Sequence, residues 1–323
     1  MVIVRVEKAG GSLLLPDGSG FEDIVKHVGE ERKEGIRHII VVSATKGTTN
    51  LLERNYNRVL NGEISRDEAV QEIYNHNKPI FDKSTNAKKV LDDLAISLDM
   101  ALNIDTYDYF VGTGETISCV HLNEIFGAAG YKTEYFIGPR FGIEVDAHGR
   151  INYKASSQNA REIISKCLEN DVTPIVGGFV GFYVTKEKRD GKEIKKRHTK
   201  LIGKDGSDIT GASCVRPAAE FCNGNVEYII SKDTAFRLVD PGIIPHTSLV
   251  PKLTYREAIQ IGNFGSPLVH IAAVYELEEL NLPITIMNFY SRKDKTVIQN
   301  ESITKIEHPV VAIASRVFTS FDI

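Results

Sequence analysis

Hydrophobic runs of five to twelve residues recur along the chain, each bounded by glycine, proline or charge. "VIVRV" (2–6), "HIIVVS" (38–43), "YDYFVG" (107–112), "TEYFIG" (133–138), "TPIVGGFVGFYV" (173–184), "VEYII" (226–230) and "PITIMNF" (283–289) are rich in β-branched and aromatic residues and are predicted strands. Segments with apolar residues at helical spacing lie between them, at 20–34, 118–130, 157–170, 208–222, 254–262 and 268–280. This alternation predicts an α/β fold with a mainly parallel sheet covered on both faces. Residues 50–104 break the rhythm, being charged and helical in spacing without a β run. They are predicted to form a helical insertion standing off the sheet, read either as a lid over a site or as a decorative subdomain. No repeat or Pro/Ser-rich linker interrupts the chain, so its two halves are expected to share one continuous sheet.

Composition narrows the function classes. The 323 residues are 42% hydrophobic and 25% charged, as in ordinary soluble globular domains. A formal charge of −4 argues against general affinity for nucleic acid or anionic membranes. No apolar run approaches the roughly 20 residues of a membrane helix, and the opening "MVIVRVEKAGGS" reads as a strand rather than a signal peptide. A cytoplasmic address is expected. Cys119, Cys167, Cys214 and Cys222 show no C-x-x-C spacing and the histidines are scattered, which argues against a zinc site. Cys214 and Cys222 are expected to be buried, reduced thiols.

"KEKRDGKEIKKRHTK" (186–200) places eight Lys or Arg residues around Asp190-Gly191, a strong signal for a two-residue hairpin turn. It reads as a solvated hairpin whose charges protect an edge, or as a basic flap near phosphates. The remaining chemistry gathers in glycine loops that follow predicted strands. Lys8 precedes "AGGS", where Gly10 and Gly11 permit close backbone approach and positive φ, and a helix N-terminus after such a turn would favour anions. "SATKGTTNLL" (43–52) places Thr48, Thr49 and Asn50 at expected helix-capping positions. "GTGETI" (112–117) carries Glu115, and "GGFVG" (177–181) and "GKDGSD" (203–208) follow. Neither a Walker A loop nor a G-x-G-x-x-G fingerprint is present. Glycine loops at the carboxyl ends of strands mark where open α/β sheets bind ligands.

Taken in order, these motifs resemble the amino acid kinase superfamily, and within it the aspartokinase branch. "KAGGS" is similar to that family's K-F-G-G-[ST], "VVSATKGTTNLL" to V-S-A…G-x-T-N-L, "GTGET" to its G-E loop, and "PIVGGFVG" to P-V-x-x-G-F-x-G. "LIGKDGSDITGA" resembles L-G-R-G-G-S-D-x-T-A, and "VDPGIIPHTSLVPKLTYREAIQIGNFGSPLVH" resembles D-P-R-x-x-P…L-S-Y-x-E-A…F-G-A-K-V-L-H. "LNLPITIMNFYSRKDKTVI" resembles the closing I-P-I-x-V-x-N-T strand, so the likeness runs from about residue 2 to 298.

The resemblance implies an αβα sandwich on an eight-stranded, mostly parallel sheet. Residues 1–222 would hold the amino acid, 223–300 the nucleotide, and 301–323 would open an ACT-like segment that is not completed, leaving no feedback module within this chain. It implies transfer of the γ-phosphoryl group of ATP, with Mg2+, to the side-chain carboxylate of L-aspartate. Lys8 and Asp208 would be the catalytic pair, with Asp208 orienting Lys8 and other donors or sitting near the metal. Ser43, Thr49, Glu115, Phe179, Lys204, Gly206 and Ser207 would meet the amino acid, with Glu115 accepting its ammonium and Thr210 beginning a helix behind them. Gly10, Gly11, Ser12, Ser231, Lys232, Asp233, Asp240 and Pro241 would meet the nucleotide; no residue is assigned to a metal. A homodimer is expected.

Three departures from the pattern matter. Lys204 replaces the arginine of G-R-G-G-S-D and Asp205 the next glycine, exchanging a planar fork for a single ammonium. Pro267 and Gly242 stand where the family has a nucleotide-side lysine and arginine, and "SKDTAF" (231–236) replaces T-D-V-x-G, leaving Lys232 either as substitute charge or as a surface residue. Two other readings are therefore kept: a kinase for another small amino acid such as homoserine, and a catalytically weak binding or regulatory paralogue.

Overall fold

Strand β1 (Ile3–Ala9) lies at the centre of an eight-stranded sheet ordered β3-β4-β2-β1-β7-β9-β10-β8. The computed structural model describes residues 2–104, 106–189, 192–239, 244, 246–264 and 268–300. Asp240, Pro241, Gly242, Pro267, the Asp190-Gly191 turn and the ACT-like segment fall outside them. The other sheet strands are β2 (Ile36–Val42), β3 (Thr133–Ile137), β4 (Thr173–Gly177), β7 (Val226–Lys232), β8 (Lys252–Leu253), β9 (Ile284–Asn288) and β10 (Lys295–Ile298). All neighbours pair in parallel except β9 and β10. Strands β5 (Val180–Arg189) and β6 (Lys192–Leu201) form a separate antiparallel ribbon.

Side-chain alternation along the inner strands feeds two cores. Val4, Val6, Ile39 and Val41 pack with helices α8 (Tyr153–Glu169), α9 (Gly206–Phe221), α10 (Tyr255–Asn263) and α11 (Ile271–Leu280). Ala9, Ile40 and Val42 face the opposite way, toward α1 (Phe21–Lys33) and a helical run of α2 (Thr48–Leu60), α3 (Arg66–His76), α4 (Lys78–Lys83), α5 (Ala87–Ile104), α6 (Tyr107–Val111) and α7 (Thr113–Ala128). The result is the sheet covered on both faces that the alternation predicts, and the αβα sandwich that the resemblance implies, with both halves on one sheet. Capping boxes at Ser65/Glu68 and Thr254/Glu257 fix the starts of α3 and α10.

Several local expectations are corrected. The "YDYFV" run is helix α6, because Phe110 and Val111 are buried and Tyr56 packs against Phe110 and Tyr107; packing overrides β propensity. "GTGETI" is therefore no loop after a strand, and Thr113–Ile117 form the start of α7, five residues earlier than predicted. The run 173–184 divides at Gly178 and Phe179, the latter at φ 66°, so β4 stays in the sheet while β5 leaves it. The insertion does not stand off: Ile73, Ile80, Phe81, Leu94 and Leu98 are buried in the same core as Ile40 and Val42. Helix α2 is capped by Gly47 at φ 85°, without a side-chain cap, and the Thr48 hydroxyl instead meets Thr45 and Asn77. No helix follows Gly10-Gly11 directly, since α1 begins only at Phe21, and neither glycine has positive φ. The basic hairpin is confirmed in its flanks, where Lys186↔Lys195 and Lys188↔Glu193 pair across the ribbon.

Candidate active site

Chain topology decides where the site can be. From β1 the chain crosses to β2 on one side, and β7 later joins β1 on the other, so the carboxyl end of β1 is a switch point where loops diverge and leave a crevice. Lys8 lies at that end. Its ammonium is 2.8 Å from Asp208 Oδ1, and the two side chains are only 8% and 3% exposed. Asp208 sits in the first turn of α9, where the helix dipole favours a carboxylate. Its Oδ2 accepts the backbone N–H of His270 at 3.1 Å, the N-cap residue of α11. Burial pushes the Asp208 carboxyl upward, but the Lys8 and Lys232 charges outweigh it and hold the group below its ordinary range. Asp208 is thus an ionised counter-charge whose two oxygens are both engaged.

Lys232, at the end of β7, shares the face of Lys8: Lys8 pairs with Ile230 in register, and Lys232 is two residues further on. Burial lowers its basicity, with Asp208 raising it and Lys8 lowering it further. It is half-buried, and its ammonium donates to Leu268 O at 2.8 Å. Ser231 alternates to the other face, where its hydroxyl donates to Glu7, and its carbonyl accepts the Gly10 N–H at 3.4 Å. Asp233 is exposed beyond the strand end. A Cβ at Gly10 would meet Lys8 Nζ at an ordinary 3.5 Å, whereas one at Gly11 would crowd Ala44 O at 3.2 Å. Ser12 follows, half-buried.

A cleft of about 960 Å³ opens in front of Lys8 and Gly11, while Gly10, Ser12, Asp208, Lys232 and Asp233 are not among its lining residues. Lys8, Gly11, Ser43, Thr49 and Glu115 line it together with Phe179, Lys204, Gly206 and Ser207. The predicted amino acid ligands therefore converge although they span residues 43 to 207. Ser43 Oγ donates to Ser207 Oγ at 3.0 Å, joining the β2 loop to α9. Helix α9 starts at Gly206, earlier than expected, so Thr210 is already inside it with its hydroxyl on Gly206 O. Asp205, which replaces a glycine of the motif, adopts φ 59°, a conformation that aspartate tolerates better than most residues. Gly178 is needed for contact: a Cβ there would meet Ser207 Oγ at 2.5 Å and its Cα at 2.8 Å.

Glu115 is 2% exposed, in the first turn of α7. Its Oε1 accepts the Ala44 N–H at 3.0 Å, while Oε2 has no partner within the protein. Burial raises its pKa to about 8, with the Ala44 hydrogen bond opposing. A buried carboxyl with one open oxygen on a polar cleft is complementary to an ammonium group. Sequence reasoning missed the cleft residues Lys46, Glu53, His148 and Lys200. It also missed the His270 amide, because its role is carried by backbone geometry. Among the described residues no three His, Cys, Asp or Glu side chains converge as metal ligands.

The fold has counterparts among solved structures. Escherichia coli aspartokinase III in complex with aspartate and ADP superposes with a TM-score of 0.76 at 21% identity, covering 94% of this chain and 65% of that one. Clostridium acetobutylicum aspartate kinase gives 0.72 at 21% identity, covering 97% and 66%. In sequence, Arabidopsis thaliana chloroplastic aspartokinase 2 is 23% identical over 271 residues, which is 79% of this chain and 47% of that protein. The Corynebacterium glutamicum aspartokinase is 26% identical over 198 residues, 59% of this chain and 42% of that protein. The chain thus spans about half the length of the curated relatives it matches. Residues 4–288 match the model of the Amino acid kinase family, and the chain belongs to that family.

Proposed function

We propose that this chain transfers the γ-phosphoryl group of ATP to the side-chain carboxylate of L-aspartate, giving 4-phospho-L-aspartate. The observation that carries the reading is the buried Lys8–Asp208 pair, 2.8 Å apart, at the floor of a cleft lined by Glu115, Ser43 and Ser207. An acceptor carboxylate is already ionised at neutral pH and needs no general base. What the transfer needs is alignment and positive charge around the migrating group. Lys8 and Lys232 supply that charge with the Gly11 amide, and Asp208 holds Lys8 in place. Glu115 meets the substrate ammonium, which supplies the counter-charge that ionises it. Support comes from the aspartokinase relatives and from the neighbour solved with aspartate and ADP.

In this reading residues 1–222 bind the amino acid and 223–300 the nucleotide, with Ser12 and Asp233 at the phosphate end and Asp240 and Pro241, outside the described residues, on the nucleotide side. Mg2+ neutralises phosphate charge when bound. Asp208, whose Oδ1 pairs with the Lys8 ammonium and whose Oδ2 accepts the His270 N–H, is the acidic side chain that would face such an ion. The protein works in amino acid biosynthesis, in the cytoplasm, as a homodimer; no helix among the described residues is long and apolar enough to cross a membrane.

One observation favours a second acceptor: Lys204, exposed on the cleft rim, offers an ammonium where a guanidinium fork would grip a carboxylate. The test is ATP turnover with aspartate, homoserine, glutamate and acetylglutamate, trapping acyl phosphates with hydroxylamine. Hydroxamate from aspartate alone is the expected result. ADP release with homoserine and no hydroxamate would transfer the assignment to a hydroxyl acceptor. Amino acid binding without turnover would make the chain a binding paralogue.

A further inference from the structure

The face of β1 opposite Lys8 carries charge where a sheet covered on both sides is ordinarily apolar. Glu7, one residue before Lys8, is 3% exposed. Its Oε1 accepts the Ser231 hydroxyl at 2.5 Å and lies 3.4 Å from an Arg292 nitrogen in the turn between β9 and β10. Its Oε2 is 3.8 Å from His27 of α1. Arg5, Glu31 and His38 complete the cluster, with His38 3.2 Å from Glu31 and Arg5 paired to Glu31 and Glu227. None of these groups touches the cleft, so the phosphoryl-transfer chemistry does not account for them. Buried carboxylates are costly unless well paired, and the position of this one suggests what it provides.

Glu7 and Ser231 stand directly behind the gap between Lys8 and Lys232. In the β1–β7 ladder Glu7 pairs with Ile229 and Ala9 with Ser231, so the Glu7–Ser231 bond runs diagonally across the last two residues of the pair. Beyond it the Gly10 N–H contacts the Ser231 carbonyl across the two strands at 3.4 Å, at the long limit of a hydrogen bond. The turn that carries Arg292 also reaches the site, because the Phe289 N–H donates to Lys232 O at 2.8 Å. Glu7 therefore ties β1, β7 and the β9–β10 turn together at the level of the two lysines.

We propose that Glu7 is a positioning residue for phosphoryl transfer, setting the separation of Lys8 and Lys232 from behind the sheet through Ser231 and Arg292. The proposal rests on the reading that the two lysines face the phosphates. Glu7→Met keeps side-chain length but removes the acceptor, freeing the strand ends to separate by a fraction of an ångström. Since a misplacement of about 1 Å can cost roughly a hundredfold in rate, a loss of about tenfold in kcat is expected. A several-fold rise in KM for ATP should accompany it, with KM for aspartate within about twofold. Ser231→Ala should show the same pattern, and the double variant should be no worse than either single one, because both remove one link. Glu7→Gln keeps an acceptor for Ser231 and should recover most of the rate.

The measurements are steady-state kinetics on the three single variants and the double variant, with calorimetric titration of ADP and thermal melting in parallel. Ser231→Ala changes one hydroxyl and keeps the test open if Glu7→Met does not fold. A merely structural Glu7 would lower Tm and leave both KM values and kcat per folded molecule unchanged. That result, or additive losses in the double variant, overturns the proposal. If the wild-type chain binds ADP without turnover, the function reading fails separately, and the proposal is decided by whether Glu7→Met weakens ADP binding several-fold. Wild-type protein that neither turns over nor binds ADP refutes both.

Discussion

Replacing Asp208 with asparagine tests the centre of the site. The change removes one negative charge at nearly constant volume and leaves Lys8 and Lys232 facing each other without their shared counter-ion. Because Lys8 and Asp208 are 8% and 3% exposed and 2.8 Å apart, solvent cannot screen the loss. Removing one partner of a buried ion pair costs about 3–5 kcal/mol, mostly from stranding the survivor. At roughly 2.1 cal/mol/K per residue, unfolding entropy for the 323 residues is about 0.7 kcal/mol/K, so Tm should fall by about 4–7 °C. ADP at a fixed concentration should narrow that gap, since its phosphates return negative charge beside the lysines and so bind the variant more tightly. Each tenfold in Kd is worth about 1.4 kcal/mol at saturation. Turnover should fall far more than stability, because Lys8 is no longer held. Scanning calorimetry with and without ADP, alongside the hydroxamate assay, measures all three effects. A variant that melts within about 1 °C of wild type and keeps its rate would refute the role given to the pair.

Glu115 gives a pH prediction. Its folded pKa of about 8 lies above the ordinary 4.5, so between those values the folded state holds a proton that the unfolded chain has lost, and stability falls as pH rises through this window. Glu115→Gln should flatten that slope in chemical denaturation between pH 4.5 and 8 without aspartate; an unchanged slope would mean that another group causes it. Gly178→Ala forces a methyl to within 2.5 Å of Ser207 Oγ and should cost about 1–3 kcal/mol along with most of the activity, read by urea melts and turnover. Lys204→Arg restores a planar fork at the exposed rim and should lower KM for aspartate several-fold with kcat little changed; steady-state kinetics showing no change would mean that this position does not touch the acceptor.

The sequence by itself determined the α/β architecture, because buried parallel strands and amphipathic helices leave different periodicities. The glycine loops are also legible locally: Lys8 with Gly10 and Gly11 reads as an anion-facing turn from its own residues, whereas the substrate-facing reading of Ser43, Thr49 and Lys204 to Asp208 rests on the family resemblance. Tertiary structure decided what periodicity cannot express. "YDYFV" became α6 because packing on Tyr56 satisfied its aromatics better than a place in the sheet. Whether Lys232 or Ser231 faced the site depended on the register of β7 against β1, in which a one-residue shift exchanges the two faces. The same register put Glu7 behind Lys8 and against Ser231, 224 residues away. Local sequence records a residue's own preferences; the side of a strand it occupies, and the charge it meets there, arise only when distant segments pair.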